Sequence, residues 1–374
     1  MKVLLAPDKF KGSLTAQGVC EALAKGILKS NPKATIITQP MADGGDGTLA
    51  ILDHYFDLTT IAKKVQDPLG RPITATYKMG EGKAYVEMAV ASGLALLAPE
   101  ERNCMRTSTY GTGQLIADAL AKGATEIFLF LGGSATNDGG MGIASALGYD
   151  FLDKDEQILQ PIGANLPFIK TIKRSTKFNF EDTTMTLLCD VTNPLYGLNG
   201  AAHVYAPQKG ATIKQVEYLD RGLRNFSQVV QRQLGKDVSD LSGGGAAGGI
   251  GAGLTALFRA KMEKGFAVIA QLTDLEQSIQ QADLVISGEG KLDHQSLQGK
   301  VIDGVVQLCQ KYGKPLALFV GKNDLPTKVT NDLGIKFIFS IAKNAKDLED
   351  AMVNGAKHLA EMAQIFTASI IKKN

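Results

Sequence analysis

The residues best suited to chemistry in this chain sit in short glycine-rich stretches, where acids, lysines and hydroxyls alternate with glycine and alanine. The longest is Gly132-Gly133-Ser134-Ala135-Thr136-Asn137-Asp138-Gly139-Gly140-Met141-Gly142, between an apolar run and a helical pattern. Glycines there let main-chain N–H groups converge, and a helix N-terminus adds partial positive charge, so the stretch suits a phosphate or a carboxylate. Gly132, Gly133, Gly139 and Gly140 are the expected phosphate-facing backbone. Ser134, Thr136 and Asn137 are the expected substrate contacts, and Asp138 an expected metal ligand. A plain turn with Asn and Asp caps would use the same residue types, but eleven residues with five glycines and four short polar groups exceed what a cap needs.

Three further stretches follow apolar runs. Met41-Ala42-Asp43-Gly44-Gly45-Asp46-Gly47-Thr48 carries two carboxylates three residues apart, Asp43 and Asp46, which could hold Mg²⁺ or accept a hydroxyl proton. An Asx-turn with an N-cap is the alternative for that pair. The stretch from Ser287 through Gly288, Glu289, Gly290, Lys291 and Asp293 to Lys300 mixes acids with lysines. Lysine is a mobile point charge suited to a phosphate that changes charge during transfer. Here Gly288 and Gly290 are expected at phosphate, Lys291 and Lys300 at substrate, and Asp293 among the catalytic acids. Asp190, within Cys189-Asp190-Val191-Thr192-Asn193-Pro194-Leu195, is expected as a base or metal ligand at a strand end. Near the start, Lys9, Lys11 and Ser13 follow Asp8 at another strand end and are expected to bind an anion. Arg71 is a weaker candidate for substrate, as is Arg106.

The run Ser242 to Gly251 contains a formal G-x-G-x-x-G at Gly243, Gly245 and Gly248. No good strand precedes it, and no acid stands clearly at the ribose-binding spacing, so a nicotinamide site is a poor reading. Gly245 and Gly248 remain as expected phosphate-facing glycines, with close helix packing as the equal alternative. No P-loop, protein-kinase or nucleophile-elbow motif occurs.

The elements that must position these loops alternate. Val3–Ala6, Ala34–Thr38, Leu284–Ser287, Leu316–Val320 and Phe337–Ser340 read as short strands. Helical patterns lie at Thr15–Ser30, Leu49–Tyr55, Val301–Tyr312 and Asp347–Ile371, with Thr15 as an N-cap. That βαβα rhythm at both ends signals a parallel sheet covered by helices. Between them, Ile73–Lys78 and Ala84–Met88 flank a glycine turn and read as an antiparallel hairpin. A helix over Gly113–Lys122, a strand at Ile127–Leu131 and a helix from Gly142 come next. The expected fold is α/β: a doubly wound, mostly parallel sheet domain built from residues 1–62 and 270–374, with a second mixed α/β domain, 63–269, inserted in it. The active site is expected in the cleft between them.

Composition narrows the function. A formal net charge of +2 over 374 residues, with no long basic or acidic run, argues against nucleic acid or an anionic membrane as partner. Cys20, Cys104, Cys189 and Cys309 lie far apart without a C-x-x-C pair, which suits scattered reduced thiols and a cytoplasmic location. No apolar segment approaches the ~20 residues that span a bilayer. Either a monomer or a homodimer is compatible with the sequence.

Five ordered blocks make the sequence resemble the glycerate kinase type 1 family, bacterial enzymes of glycerate and glyoxylate metabolism. They are Ala6 to Ser13, Ala42 to Thr48, Gly132 to Gly142, Cys189 to Leu195, and Ser287 to Lys300. The resemblance runs essentially end to end; Gly243-Gly244 is a small variation in the family's glycine-rich run. It implies a two-domain α/β fold with one domain inserted in the other, ATP and Mg²⁺ as co-substrates, and D-glycerate as acceptor. It also favours 2-phosphoglycerate over the 3-phosphate. A non-catalytic regulatory protein that binds an organic acid is the alternative from a different class. An oxidoreductase would need the dinucleotide fingerprint that is missing.

Overall fold

Short runs of four or five residues, too short for helices and most deeply buried at the centre, build one of the two large sheets. Leu316–Val320 (LALFV) is buried at every position, as a strand covered on both faces must be. In the computed structural model, which describes residues 1–45, 47–175, 180 and 182–371, the chain divides into two compact units. One comprises residues 1–43 and 264 onward; the other is Gly44–Glu263.

The first unit holds a five-stranded sheet in the order Phe337–Ser340, Leu316–Val320, Leu284–Ser287, Lys2–Leu5, Thr35–Thr38. Every pairing in it is parallel. Thr15 caps the Ala16–Ser30 helix, its hydroxyl accepting from the Gly18 amide at 3.0 Å. That helix packs on Gly355–Ile371, and their apolar faces close the core with Leu23, Ile27, Leu359 and Phe366. The expected single closing helix is two, Leu348–Val353 and Gly355–Ile371, separated at Asn354.

The second unit holds a six-stranded sheet in the order Lys261–Glu263, Thr184–Leu188, Glu126–Phe130, Lys83–Glu87, Pro72–Gly80, Thr59–Gln66. The last two pairings, Lys83–Glu87 with Pro72–Gly80 and Pro72–Gly80 with Thr59–Gln66, are antiparallel; the others are parallel. The hairpin thus has a third strand, Thr59–Gln66, that the sequence reading lacks. It is mostly exposed and reads TTIAKKVQ, without the alternation that marks a half-buried strand. Because this strand and the Thr48–Tyr55 helix belong to the second unit, the division falls at 43/44 rather than near 62. At the other end it falls at 263/264 rather than near 270. Ile213–Leu234, a 22-residue helix begun by a Thr212/Gln215 capping box, covers this unit's core with Leu219, Leu223 and Phe226.

Candidate active site

In the first unit, strand order selects two acids. From Lys2–Leu5 the chain crosses to Thr35–Thr38 on one side, and from Leu284–Ser287 it crosses to Leu316–Val320 on the other. The two strands are adjacent, Val3 opposite Leu284 and Leu5 opposite Ile286, so the crossovers diverge between them. Such a switch point leaves an open crevice at the carboxyl ends of the strands, where ligands bind in doubly wound sheets. Asp8 follows the first strand and Glu289 the second. Backbone bonds hold both loops: the Asp8 amide donates to the Gly288 carbonyl at 2.8 Å, and the Gly321 amide to the Glu289 carbonyl at 3.0 Å.

Both carboxyls sit where ionisation is costly. Burial, with the neighbouring Asp43 charge second, pushes Asp8 up to about 7, opposed by the Lys9 amide, which donates to its Oδ1 at 2.6 Å. Burial also pushes Glu289 up to about 7, with Asp8 adding to the rise and the Ser296 hydroxyl and Lys300 opposing it. Glu289 Oε1 is buried and has no hydrogen-bond partner. Two acids with raised pKa values and an unsatisfied oxygen beside lysines can take up a proton near neutral pH or receive a cation. Sequence reasoning left both out of its candidate residues, because their pairing follows from strand order across some 280 residues.

The remaining candidates of this unit divide. Asp43, Lys9 and Lys300 are half-buried around the two acids. Lys11 is exposed, its amide next to Gly290. Ser13 donates its hydroxyl to the Met352 carbonyl at 2.6 Å, which removes it as a substrate donor. Lys291 is exposed and bridges Asp293 at 3.1 Å and Asp324 at 3.3 Å, so its charge is already answered. Asp293 caps the His294–Leu297 turn by accepting from the Gln295 amide at 2.9 Å. That role replaces the catalytic one expected of it. A Cβ on Gly288 would overlap the Phe319 carbonyl, so this glycine lets neighbouring strand ends approach; Gly290 lies against Phe10 and Lys11.

In the second unit, the 132–142 loop and Asp190 leave neighbouring parallel strands at the same sheet edge, with the Leu131 amide donating to the Leu188 carbonyl. Gly132 and Gly133 are exposed there, whereas Ser134 to Gly140 are buried. The Lys209 ammonium, which the sequence reading did not single out, donates to Ser134 Oγ at 2.7 Å and to the Thr136 carbonyl at 2.8 Å. Thr136 Oγ1 and both polar atoms of the Asn137 side chain are buried without a partner. Asp190 is half-buried.

Asp138 is not a metal ligand in this arrangement. Fully buried, its carboxylate accepts from the Thr109 amide and hydroxyl at 2.8 Å each, and from the Gly140 and Gly142 amides at 3.1 and 3.2 Å. Burial pushes its pKa up and these four donors oppose the rise. They occupy the oxygens a cation would need. Gly139 and Gly140 likewise face inward: the Gly139 amide donates to the Gly248 carbonyl, Gly139 packs on Leu223 and Phe226, and Gly140 on Ile250 and Leu254. Gly248, at φ +79°, lies so close to the Thr136 carbonyl that a Cβ would overlap it. Gly245 donates its amide to the Asn193 carbonyl. These four glycines serve close packing rather than phosphate contact. The guanidinium of Arg71 pairs with Asp67 at 2.6 Å and Glu101 at 2.6 Å, a structural clamp. Asp46 lies outside the described residues. Among the described residues no group of three or more His, Cys, Asp or Glu could hold a metal ion, and no helix is long and apolar enough to cross a membrane.

Comparison with known proteins accords with this architecture. A crystal structure of a protein assigned as glycerate kinase 2 from Salmonella typhimurium LT2 superposes with a TM-score of 0.88 at 36% identity, covering 100% of this chain and 99% of that one. The glycerate kinase of Halalkalibacterium halodurans is 40% identical over 97% of this chain and 96% of its own length. The glycerate 2-kinase of Escherichia coli K12 is 37% identical over 99% and 98%. The model of the glycerate kinase family matches residues 3–371, and the chain belongs to that family.

Proposed function

We propose that this protein is a glycerate kinase that transfers the γ-phosphate of ATP to a hydroxyl of D-glycerate, giving 2-phosphoglycerate and ADP. The observation that carries the reading is the match over residues 3–371, which spans both units. A full-length relative named glycerate 2-kinase supports the 2-position.

The chemistry follows from the groups at the switch point. Asp8 and Glu289 titrate as a pair near neutrality and accept the proton that the acceptor hydroxyl loses as its oxygen attacks the γ-phosphorus. The bond from that phosphorus to the β-bridging oxygen breaks, and ADP leaves. Lys9 and Lys300 hold negative charge, of phosphate or of the substrate carboxylate, in a transfer that depends on positioning and electrostatics. Asp43, Asp46 and Asp190 are further acids for this work. Ser134, Thr136 and Asn137 contact substrate, with Gly132 and Gly133 offering exposed backbone beside them.

Mg²⁺ is proposed as the companion of ATP rather than a resident ion. The orphaned Glu289 Oε1, a hard oxygen donor, fits a cation of this kind, which would leave Asp8 as the proton acceptor. When bound, the ion would neutralise phosphate charge. The test is incubation with MgATP and D-glycerate, followed by ADP measurement. ADP that does not exceed the glycerate-free control would sink the reading and favour an organic-acid-binding protein without turnover.

A further inference from the structure

Lys209 is 2% exposed, yet it forms no ion pair among the described residues. A buried ammonium without a carboxylate partner costs several kcal/mol of lost hydration, so its environment must compensate. The turn Pro207–Lys209 sets it in place: the Cys104 amide donates to the Lys209 carbonyl at 3.1 Å, and the Lys209 amide donates to the Ala206 carbonyl at 3.0 Å. The ammonium then reaches across to Ser134 and Thr136, 75 and 73 positions earlier in the chain. Burial lowers its pKa to about 8, opposed by Cys104 and Asp138.

The loop's backbone has other anchors. Ala135 donates its amide to the Ser92 carbonyl at 2.9 Å, Thr107 donates its hydroxyl to the Ala135 carbonyl at 2.8 Å, and Ser134 bridges to Gly93. Lys209 adds the hold on a side chain, the Ser134 hydroxyl, and on the next carbonyl. Immediately after it come the groups left without protein partners, Thr136 Oγ1 and the Asn137 amide. Buried polar atoms are rarely orphaned unless something else meets them. The framework is fixed while these buried polar atoms remain unfilled, which is the pattern of a pre-organised site.

We infer that Lys209 is a positioning residue for the 132–142 loop, its ammonium holding the Ser134 hydroxyl and the Thr136 carbonyl so that Ser134, Thr136 and Asn137 meet the substrate in one arrangement. The inference rests on the proposed role of this loop in binding substrate.

A double-mutant cycle on the full-length enzyme tests it. Lys209→Met is expected to lower kcat/KM for glycerate about 100-fold, with KM for ATP within about threefold of wild type. Ser134→Ala is expected to lower kcat/KM about 10-fold, and the double variant to be no worse than Lys209→Met by more than about twofold, because the two act through one contact. A residue that merely supports the fold would lower the melting temperature but leave the kinetic constants of folded enzyme unchanged. Folded Lys209→Met with kcat/KM within about threefold of wild type, or losses that multiply in the double variant, would overturn the inference. Should Lys209→Met fail to fold, Lys209→Gln, which keeps a donor on a shorter side chain, carries the cycle with a smaller expected loss of about 10-fold. If Ser134→Ala, Thr136→Val and Asn137→Ala all match wild type, the loop's substrate role fails instead, while ADP formation by the wild type leaves the kinase reading standing.

Discussion

Replacing Asp8 by Asn should make the protein more stable at alkaline pH while disabling it. In the folded state the Asp8 carboxyl is held near 7 rather than at its ordinary 3.8, chiefly by burial and then by Asp43. A folded pKa above the unfolded one means that the native state keeps its proton longer. Stability from this group is therefore complete below about 3.8 and declines as pH rises to about 7. At roughly 1.4 kcal/mol per pH unit of separation, the full loss has a ceiling of about 4 kcal/mol. Asp8 is only half-buried, and water reaching it reduces the loss to about 2 kcal/mol. Asn keeps the shape and can still accept from the Lys9 amide, but it never ionises. Urea unfolding of both proteins at about pH 4 and about pH 8.5 should show the variant's advantage growing by about 2 kcal/mol over that interval. Its kcat should fall at least about 100-fold. An advantage that stays constant with pH, or shrinks, would refute the raised pKa and the proton-accepting role built on it.

Other perturbations have definite outcomes. The pH–rate profile should have an acidic limb near 7, from the Asp8 and Glu289 pair. Lys300→Met should move that limb to higher pH, since Lys300 opposes both rises; an unmoved limb would separate Lys300 from the pair. Gly248→Ala forces a Cβ into the Thr136 carbonyl at a positive φ, and should cost about 3 kcal/mol or more of stability in urea melts. Asp138→Asn leaves an NH₂ group facing at least one donor, the Gly140 amide or the Thr109 and Gly142 donors; it should lower the melting temperature while the Mg²⁺ concentration for half-maximal rate in the folded fraction stays put. Arg71→Ala should lower the melting temperature and leave kcat/KM within about twofold of wild type, because its partners are Asp67 and Glu101.

Much of the fold can be read from local pattern, and the reasons for the exceptions are physical. The five strands of the first sheet are short, mostly apolar runs set between polar helical stretches, so each announces itself. Thr59–Gln66 does not, because its inward face carries only Ile61 and Val65, with Lys63 between them breaking the apolar alternation. The candidate site divides along a similar line. Glycine-rich loops at strand ends are visible as composition, but composition does not separate glycines that face solvent from glycines that admit a neighbour. Gly132 and Gly133 are exposed, whereas Gly139, Gly140, Gly245 and Gly248 are buried by close packing. Acids in loops are equally visible, yet Asp8 and Glu289 become a pair only through the order of strands far apart in the chain. Lys209 lies in an ordinary polar stretch, and only tertiary packing shows that its charge is buried.

The most direct test of the central claim is phosphorus NMR of the wild-type enzyme with MgATP and D-glycerate. The γ-phosphate signal should give way to ADP and an equal amount of 2-phosphoglycerate. An unchanged ATP spectrum, or phosphate released without a phosphoglycerate, would contradict the claim.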